Sequence, residues 1–225
     1  MTAIEEGRCY GQKNPMWGRG VMKVNRQVRS SVLDFERFDV SIVHTSAGLE
    51  LVEHDIQPAT IFTHTGYEPV SEELFHKLRA MTSVLRTAAG ARLTGDEGSM
   101  EKDLRDIGGI MACRTDRGWL VIRILEADRF LPRYRVDRFT IASGLVREEC
   151  SLSVKQITLD GYRRIEESVW EALVSLWEKA CRETEELLRA HGLIDGTAAR
   201  QFAEEYSQGM NRLLNGVYDV IDVHK

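Results

Sequence analysis

Alternating apolar and polar positions fill the first part of the chain. In the stretch VMKVNRQV, Met22 and Val24 fall on one side and Lys23 and Asn25 on the other, which is the two-residue period of a half-buried strand. The stretch FDVSIVHTSAGLELVEH predicts two more strands that meet at a turn near Gly48. The β-branched run ATIFTHT predicts a further short strand. By its pattern, the chain therefore begins as a sheet.

The period changes to that of a helix at residues 71–89. Apolar residues recur there with helical spacing, at Leu74, Leu78, Met81 and Leu85. Ser71 precedes them as an N-cap, and Gly90 follows as a stop signal. The next stretch, residues 91–106, is charged and interrupted by glycines, which predicts a loop.

Strand patterns return after this loop. The stretch IGGIMACRTDRGWLVIRILEA predicts a hairpin that turns at residues 116–118, and RYRVDRFTIASG and REECSLSVKQITL predict further strands. The whole chain is expected to form a sheet of about six to eight strands. No internal repeat is apparent in the sequence.

Two helices are predicted at the C-terminal end. The first runs from a cap at Asp160 to Ala190, and the second covers residues 198–214, before an alternating tail at 217–223 that fits either a strand or a frayed helix. Each helix carries an apolar arc wider than the ~100° that packing on one partner needs. The surplus predicts a third surface, either the chain's own sheet or a second copy of the chain. The expected interface residues are Val169, Trp170, Leu173, Trp177, Phe202, Tyr206, Met210 and Leu213.

Together these elements predict an α+β fold. It consists of a mostly antiparallel sheet interrupted by one helix and followed by a long C-terminal α-helical hairpin. We expect a mainly β body over residues 1–158, with its helix at 71–89, and the hairpin with its short tail over residues 159–225.

Composition narrows the class of protein. Hydrophobic residues make up 43% of the chain and charged residues 29%, as in ordinary globular domains. The sequence contains no apolar stretch long enough for a membrane span and no apolar signal segment at its start. The 4 cysteines lie far apart, which argues against a zinc knuckle and is typical of a reducing compartment. We therefore expect a cytoplasmic protein without membrane contact and without a cofactor.

The net charge of −5 conceals two basic segments. Residues 1–37 hold seven Lys or Arg against four Asp or Glu, and residues 114–138 hold the same numbers. Arginines alternate with aromatic residues over residues 113–139, which include the second segment, and Tyr134 or Phe139 is expected to offer a stacking face for single-stranded nucleic acid. The candidate nucleic-acid-binding residues are Arg19, Lys23, Arg26, Arg133, Tyr134, Arg135 and Arg138. Alternatively, the arginines pair with neighbouring acids or dock on an acidic protein surface.

Three histidines, His44, His54 and His64, fall on neighbouring predicted strands. Imidazoles that converge across a sheet bind transition metals, so a small metal-dependent hydrolase is one hypothesis. Their spacing matches no metal motif, and isolated strand histidines are commonly hydrogen-bonded or exposed. The sequence also lacks a nucleophile elbow, a phosphate-binding loop and a dinucleotide fingerprint.

The sequence thus favours a non-catalytic cytoplasmic assembly or adaptor protein, acting as a homo-oligomer or as a subunit of a larger complex. Nucleic-acid binding is the second hypothesis, and a metal-dependent hydrolase is the third.

Overall fold

The first half of the chain forms five strands and two helices. The computed structural model describes residues 4–13, 20–28, 36–64, 66–94, 107–128 and 130–194. The elements of the first half are β1 (Cys9–Gln12), β2 (Gly20–Val28), β3 (Arg37–His44), β4 (Gly48–Pro58), α1 (Thr60–His64), β5 (Tyr67–Val70) and α2 (Glu72–Leu93). Ser71 caps α2 as predicted, because its Oγ accepts the backbone N–H of Leu74 at 3.3 Å.

The second half forms the same series of elements. These are β6 (Ile110–Arg114), β7 (Trp119–Ala127), β8 (Arg133–Ile141), β9 (Gly144–Ser153), α3 (Val154–Leu159), β10 (Arg163–Arg164) and α4 (Glu167–Ala190). In the described residues all ten strands join one antiparallel sheet, in the order β10-β6-β7-β8-β9-β4-β3-β2-β1-β5. The chain is therefore built from two repeats, residues 9–93 and 110–190, which meet where β4 pairs with β9.

The two repeats agree in contacts as well as in element order. Lys23 of β2 pairs with Glu72 at the start of α2 (2.5 Å), and Arg123 of β7 pairs with Glu167 at the start of α4 (3.2 Å). The registers confirm that these residues correspond, since the strands run in the same pairing order in both halves. The prediction that the chain has no internal repeat was therefore wrong. The sequence did not reveal the repeat because the identities shared by the two halves are few and scattered.

A second ion pair is shared with its charges reversed. Arg26 of β2 faces Asp39 of β3, with Nε 3.3 Å from Oδ2. At the corresponding positions of the second repeat, Glu126 of β7 faces Arg135 of β8 at 3.7 Å. The cross-strand attraction is thus kept while its polarity differs between the repeats.

The junction between the repeats is an approximate two-fold axis. Leu49 of β4 pairs with Leu145 of β9, and the pairs on either side are exchanged by the axis: Gly48 with Val146, and Glu50 with Gly144. Both leucines are 1% exposed. Each repeat therefore supplies the surface that a partner subunit supplies in a two-fold dimer.

Helices cover both faces of the sheet. The largest apolar core lies under α2 and α4, which also pack on each other. On the opposite face, α1 and α3 each cover a smaller core: Phe62 packs near Tyr10 and Phe38, and Ile157 packs with Tyr134 and its neighbours. Alternation along the strands distributes side chains between these cores.

Helix α2 is longer than predicted. It continues through Gly90, the expected stop, and ends at Leu93 instead of residue 89, because Leu93 is buried in the main core.

The structure corrects three further local predictions. The run ATIFTHT forms helix α1 instead of a strand, because burial of Phe62 against other rings outweighs its β propensity. The end of REECSLSVKQITL forms α3, because Ser153 and Gln156 make a capping box. Asp160 ends α3 and does not cap α4, which begins at Glu167 after β10.

The coarse fold prediction is confirmed, as the chain has a large antiparallel sheet with helices and is of mixed α+β type. The sheet has more strands than predicted, even within the described residues. The second helix of the predicted hairpin and the tail at 217–223 lie outside the described residues, and the division at residues 158 and 159 stays a prediction. None of the helices in the described ranges has the length and apolarity to cross a membrane.

Candidate functional site

The basic residues near the N-terminus are held by acids of the same chain. Lys23 and Arg26 make the two ion pairs given above, and Lys13 Nζ lies 2.5 Å from Glu68 Oε2. Arg19 lies outside the described residues. Because these cations already have anionic partners, binding a phosphate group there would compete with contacts inside the fold.

The second basic segment is divided between the core and the surface. Tyr134 is 6% exposed and Phe139 is fully buried, so neither ring offers the free face that stacking on a base requires. Arg138 contacts Glu148 at 2.5 Å. Arg133 and Arg135 are exposed at the start of β8, and a nucleic-acid contact through them stays a prediction.

Among the described residues, the most exposed aromatic ring lies in the turn between β7 and β8, here called the 128–132 turn, of which residues 128 and 130–132 are described. Phe130 is 93% exposed and Leu131 is 52% exposed. Asp128 fixes this turn, because its Oδ1 accepts the backbone N–H groups of Phe130 (2.8 Å) and Leu131 (3.0 Å). These hydrogen bonds lower the pKa of Asp128, so the carboxylate stays ionised and keeps its hold on the turn.

The same turn borders a cleft of about 450 Å³. Its lining combines Phe130 with charged and polar groups of neighbouring strands, among them Glu126, Arg135 and Ser151. The sequence shows the aromatic residues of this segment but not which ring is buried. One signal does exist, since Phe130 and Leu131 stand where a turn ordinarily carries polar residues.

The predicted interface on α4 is covered by the chain itself. Trp170 and Leu173 are buried in the main core, and Val169 and Trp177 are partly buried against it. The wide apolar arc is explained by two surfaces, the sheet and helix α2 of the other repeat, so its width no longer argues for a second chain. The remaining predicted interface residues lie outside the described part of the chain: Phe202, Tyr206, Met210 and Leu213.

The three histidines occupy different surroundings. His44 is exposed at the end of β3, and His54 lies on β4 about 13 Å further along the strand pair. His64 ends α1, and its side chain is outside the described residues. Within the described ranges no group of three or more His, Cys, Asp or Glu side chains is placed to hold a metal ion.

His54 sits in a β-bulge that only the first repeat has. Glu53 and His54 together face Ser41, whereas Glu149 alone faces Asp137 at the corresponding point of the second repeat. His54 has a φ of 59°, a left-handed conformation that costs a non-glycine residue about 1 kcal/mol. Its insertion therefore needs a compensating interaction.

That interaction is a hydrogen bond to Asp39. The carboxylate is 3% exposed and lies 3.2 Å from His54 Nδ1 and 3.2 Å from Asn25 Nδ2. Burial opposes its ionisation, but the hydrogen bonds from Asn25 and His54 and the charge of Arg26 outweigh burial and lower the pKa of Asp39. An ionised Asp39 makes Nδ1 the donor and holds an exposed imidazole in one orientation.

Comparison of the chain with protein families, curated proteins and solved structures gives no match. The described surface itself offers two features that a folded core does not require: the fixed, exposed turn at 128–132 and the oriented His54.

Proposed function

We propose that this chain is a non-catalytic adaptor or complex subunit that binds another polypeptide through the 128–132 turn. The observation that carries the proposal is Phe130, a ring 93% exposed on a turn whose backbone Asp128 holds in place. Transfer of a phenylalanine side chain from water into a contact is worth about 1.5–3 kcal/mol. A fixed turn loses little entropy on binding, so most of that gain is available to the complex.

Arginines beside the ring suit the same role. Arg133 and Arg135 flank the turn at the start of β8, and aromatic residues and arginine are the types that dominate the centres of protein interfaces. The cleft beside Phe130 gives a partner side chain a place to enter.

The two edges of the sheet are poorly suited to pairing with a strand of another chain, which favours the 128–132 turn as the binding surface. Pro69 interrupts the donors of edge strand β5, and edge strand β10 is only two residues long and consists of Arg163 and Arg164. Proline, charge and short length each discourage pairing with a strand of another chain. Assembly by a side-chain contact at the turn therefore fits the molecule better than extension of the sheet.

Site-specific photo-crosslinking tests the proposal. Phe130 is replaced by p-benzoylphenylalanine in the full chain, expressed in the cells that produce the protein, and the adducts are analysed by mass spectrometry. The matched control carries the same probe at Val84, which is 66% exposed on the outer side of α2.

We expect a discrete protein adduct from position 130 and none from position 84. An adduct with a second copy of the chain identifies a homo-oligomer, and an adduct with another protein identifies a complex; both support the proposal. Adducts no stronger at 130 than at 84, or adducts that a nuclease removes, would overturn it.

A further inference from the structure

The second repeat fills a place that the first repeat leaves open. Trp177 of α4 lies over the junction, where its indole Nε1 donates to the backbone carbonyl of Ala47 at 3.0 Å. The same carbonyl accepts the backbone N–H of Arg147 at 2.8 Å, and the Arg147 guanidinium lies 5.1 Å from the indole centroid. The indole thus has a hydrogen-bond acceptor at its edge and a side chain on its face.

The two-fold axis identifies the matching place in the first repeat. Ser143 corresponds to Ala47, and its carbonyl accepts the N–H of Leu51 at 3.1 Å, as the Ala47 carbonyl accepts that of Arg147. Where the indole of Trp177 would follow, the first repeat has Thr82, whose hydroxyl donates to the carbonyl of Arg79 in its own helix. A cleft lies beside this smaller side chain, between α2 and β4, and Thr82, 2% exposed, is part of its lining.

This cleft has the size of a small-molecule site. Its volume is about 390 Å³, within the range of about 300–1,000 Å³ that is usual for such sites. Leu51 supplies an apolar wall, and Ser143 lines the cleft at the repeat junction. At the rim, Arg79 is paired with Glu53 at 2.5 Å. The residues that line the cleft are Leu51, Glu53, Arg79, Thr82, Ser83, Arg86 and Ser143.

Arg86 gives the cleft a positive charge that has no ion-pair partner among the described residues. It lies one turn of α2 beyond Thr82 and is exposed, and among the described residues no carboxylate is within ion-pair distance of it. An anionic substituent next to a ring bound at Thr82 would meet this guanidinium.

We propose that the α2–β4 cleft binds a planar aromatic ligand that carries a ring N–H and an anionic group. The ring takes the place that Trp177 takes in the other repeat, with its N–H on the Ser143 carbonyl and its face on Leu51. The anionic group pairs with Arg86. The site lies on α2 and the repeat junction, and it stands independently of the 128–132 turn.

A titration of the full chain with indole-3-acetate tests this site, with binding followed by ligand-observed saturation-transfer NMR. We expect saturable binding of the unmodified chain, about tenfold weaker binding to Arg86→Gln and at least about thirtyfold weaker binding to Thr82→Trp. Thr82→Trp rebuilds the filled state of the other repeat. Val84→Ala, on the outer side of the same helix, should bind as the unmodified chain does.

3-Methylindole separates the two contacts, because it keeps the ring N–H and lacks the anion. It should bind equally to the unmodified chain and to Arg86→Gln. This comparison uses only the unmodified chain and Arg86→Gln, so it tests the proposed site even if Thr82→Trp does not fold. Lack of saturation by indole-3-acetate at about 10 mM, unchanged binding to a folded Thr82→Trp, or inorganic phosphate binding as tightly as indole-3-acetate would each overturn the proposal.

Discussion

Gly144→Ala should separate the two repeats at their junction. A Cβ at this position would lie 1.8 Å from the backbone oxygen of Leu49 and 2.8 Å from its carbonyl carbon. Both atoms belong to the backbone of β4, so β4 and β9 must move apart by more than about 1 Å to restore normal contact. Two hydrogen bonds that cross the junction then lengthen, from Leu51 to Ser143 (3.1 Å) and from Arg147 to Ala47 (2.8 Å).

Loss of those bonds, at about 1 kcal/mol each, together with looser packing of the two buried junction leucines, predicts a loss of about 3 kcal/mol in the free energy of unfolding. In a chain of this length the loss corresponds to a melting temperature lower by about 6–12 °C. Urea unfolding followed by far-ultraviolet circular dichroism measures it.

Gly90→Ala is the matched control. Gly90 lies within α2, and no heavy atom is within 4 Å of the Cβ that alanine would add. Alanine favours the helix by about 0.5–1 kcal/mol over glycine, so this variant should be more stable than the unmodified chain. If Gly144→Ala unfolds within about 0.5 kcal/mol of the unmodified chain while Gly90→Ala shows its gain, the close approach at the junction is not as described.

Three further outcomes are expected. Arg147→Ala removes the guanidinium whose Nε and Nη2 both donate to the nearly buried carboxylate of Asp137, and it should lower the free energy of unfolding in urea by about 3 kcal/mol. Arg117→Ala on the surface is the control and should change this free energy by less than about 0.5 kcal/mol. Because the pKa of Asp39 is lowered in the fold, its ionised carboxylate stabilises the fold above the unfolded pKa of about 4, and this contribution is lost as the pH falls through the native pKa. Asp39→Asn should therefore lose less unfolding free energy between pH 5 and pH 2 than the unmodified chain. Equal slopes for the two chains would contradict the assignment. Burial raises the pKa of Cys9 to about 11. Its thiol should therefore react with an aromatic disulfide reagent at pH 8 far more slowly in the native chain than in urea. Peptide mapping of the labelled cysteine measures the two rates.

Local patterns were sufficient to predict most elements of the sheet and the helix at Ser71. Alternation placed β2, β3 and β4, and the cap and apolar stripe placed α2, because each signal is contained within a few consecutive residues. These local patterns did not predict the α1 and α3 segments as helices. Their conformation depends on contacts with strands that are distant in the sequence or on a cap inside a strand-like run.

The repeat and the candidate sites required three dimensions. Lys23 and Arg123 correspond through strand register, which a linear sequence does not display. The wide apolar arc of α4 predicted a further surface, either the chain's own sheet or a second copy, and in the structure the sheet and α2 of the same chain cover it. The environment of Phe130 depends on which face of the sheet each neighbouring residue occupies. A sequence pattern does not fix these faces, because a bulge such as the one at His54 shifts the following residues of a strand to the opposite face.

Tandem copies of one unit risk exchanging strands while they fold, since each copy is a plausible template for the other. The opposite polarities of the Arg26–Asp39 and Glu126–Arg135 pairs discriminate against that error. If β2 docked on β8, Arg26 would face Arg135, and if β7 docked on β3, Glu126 would face Asp39. Both crossed arrangements place like charges opposite one another, so the charges at this position favour pairing of the correct strands.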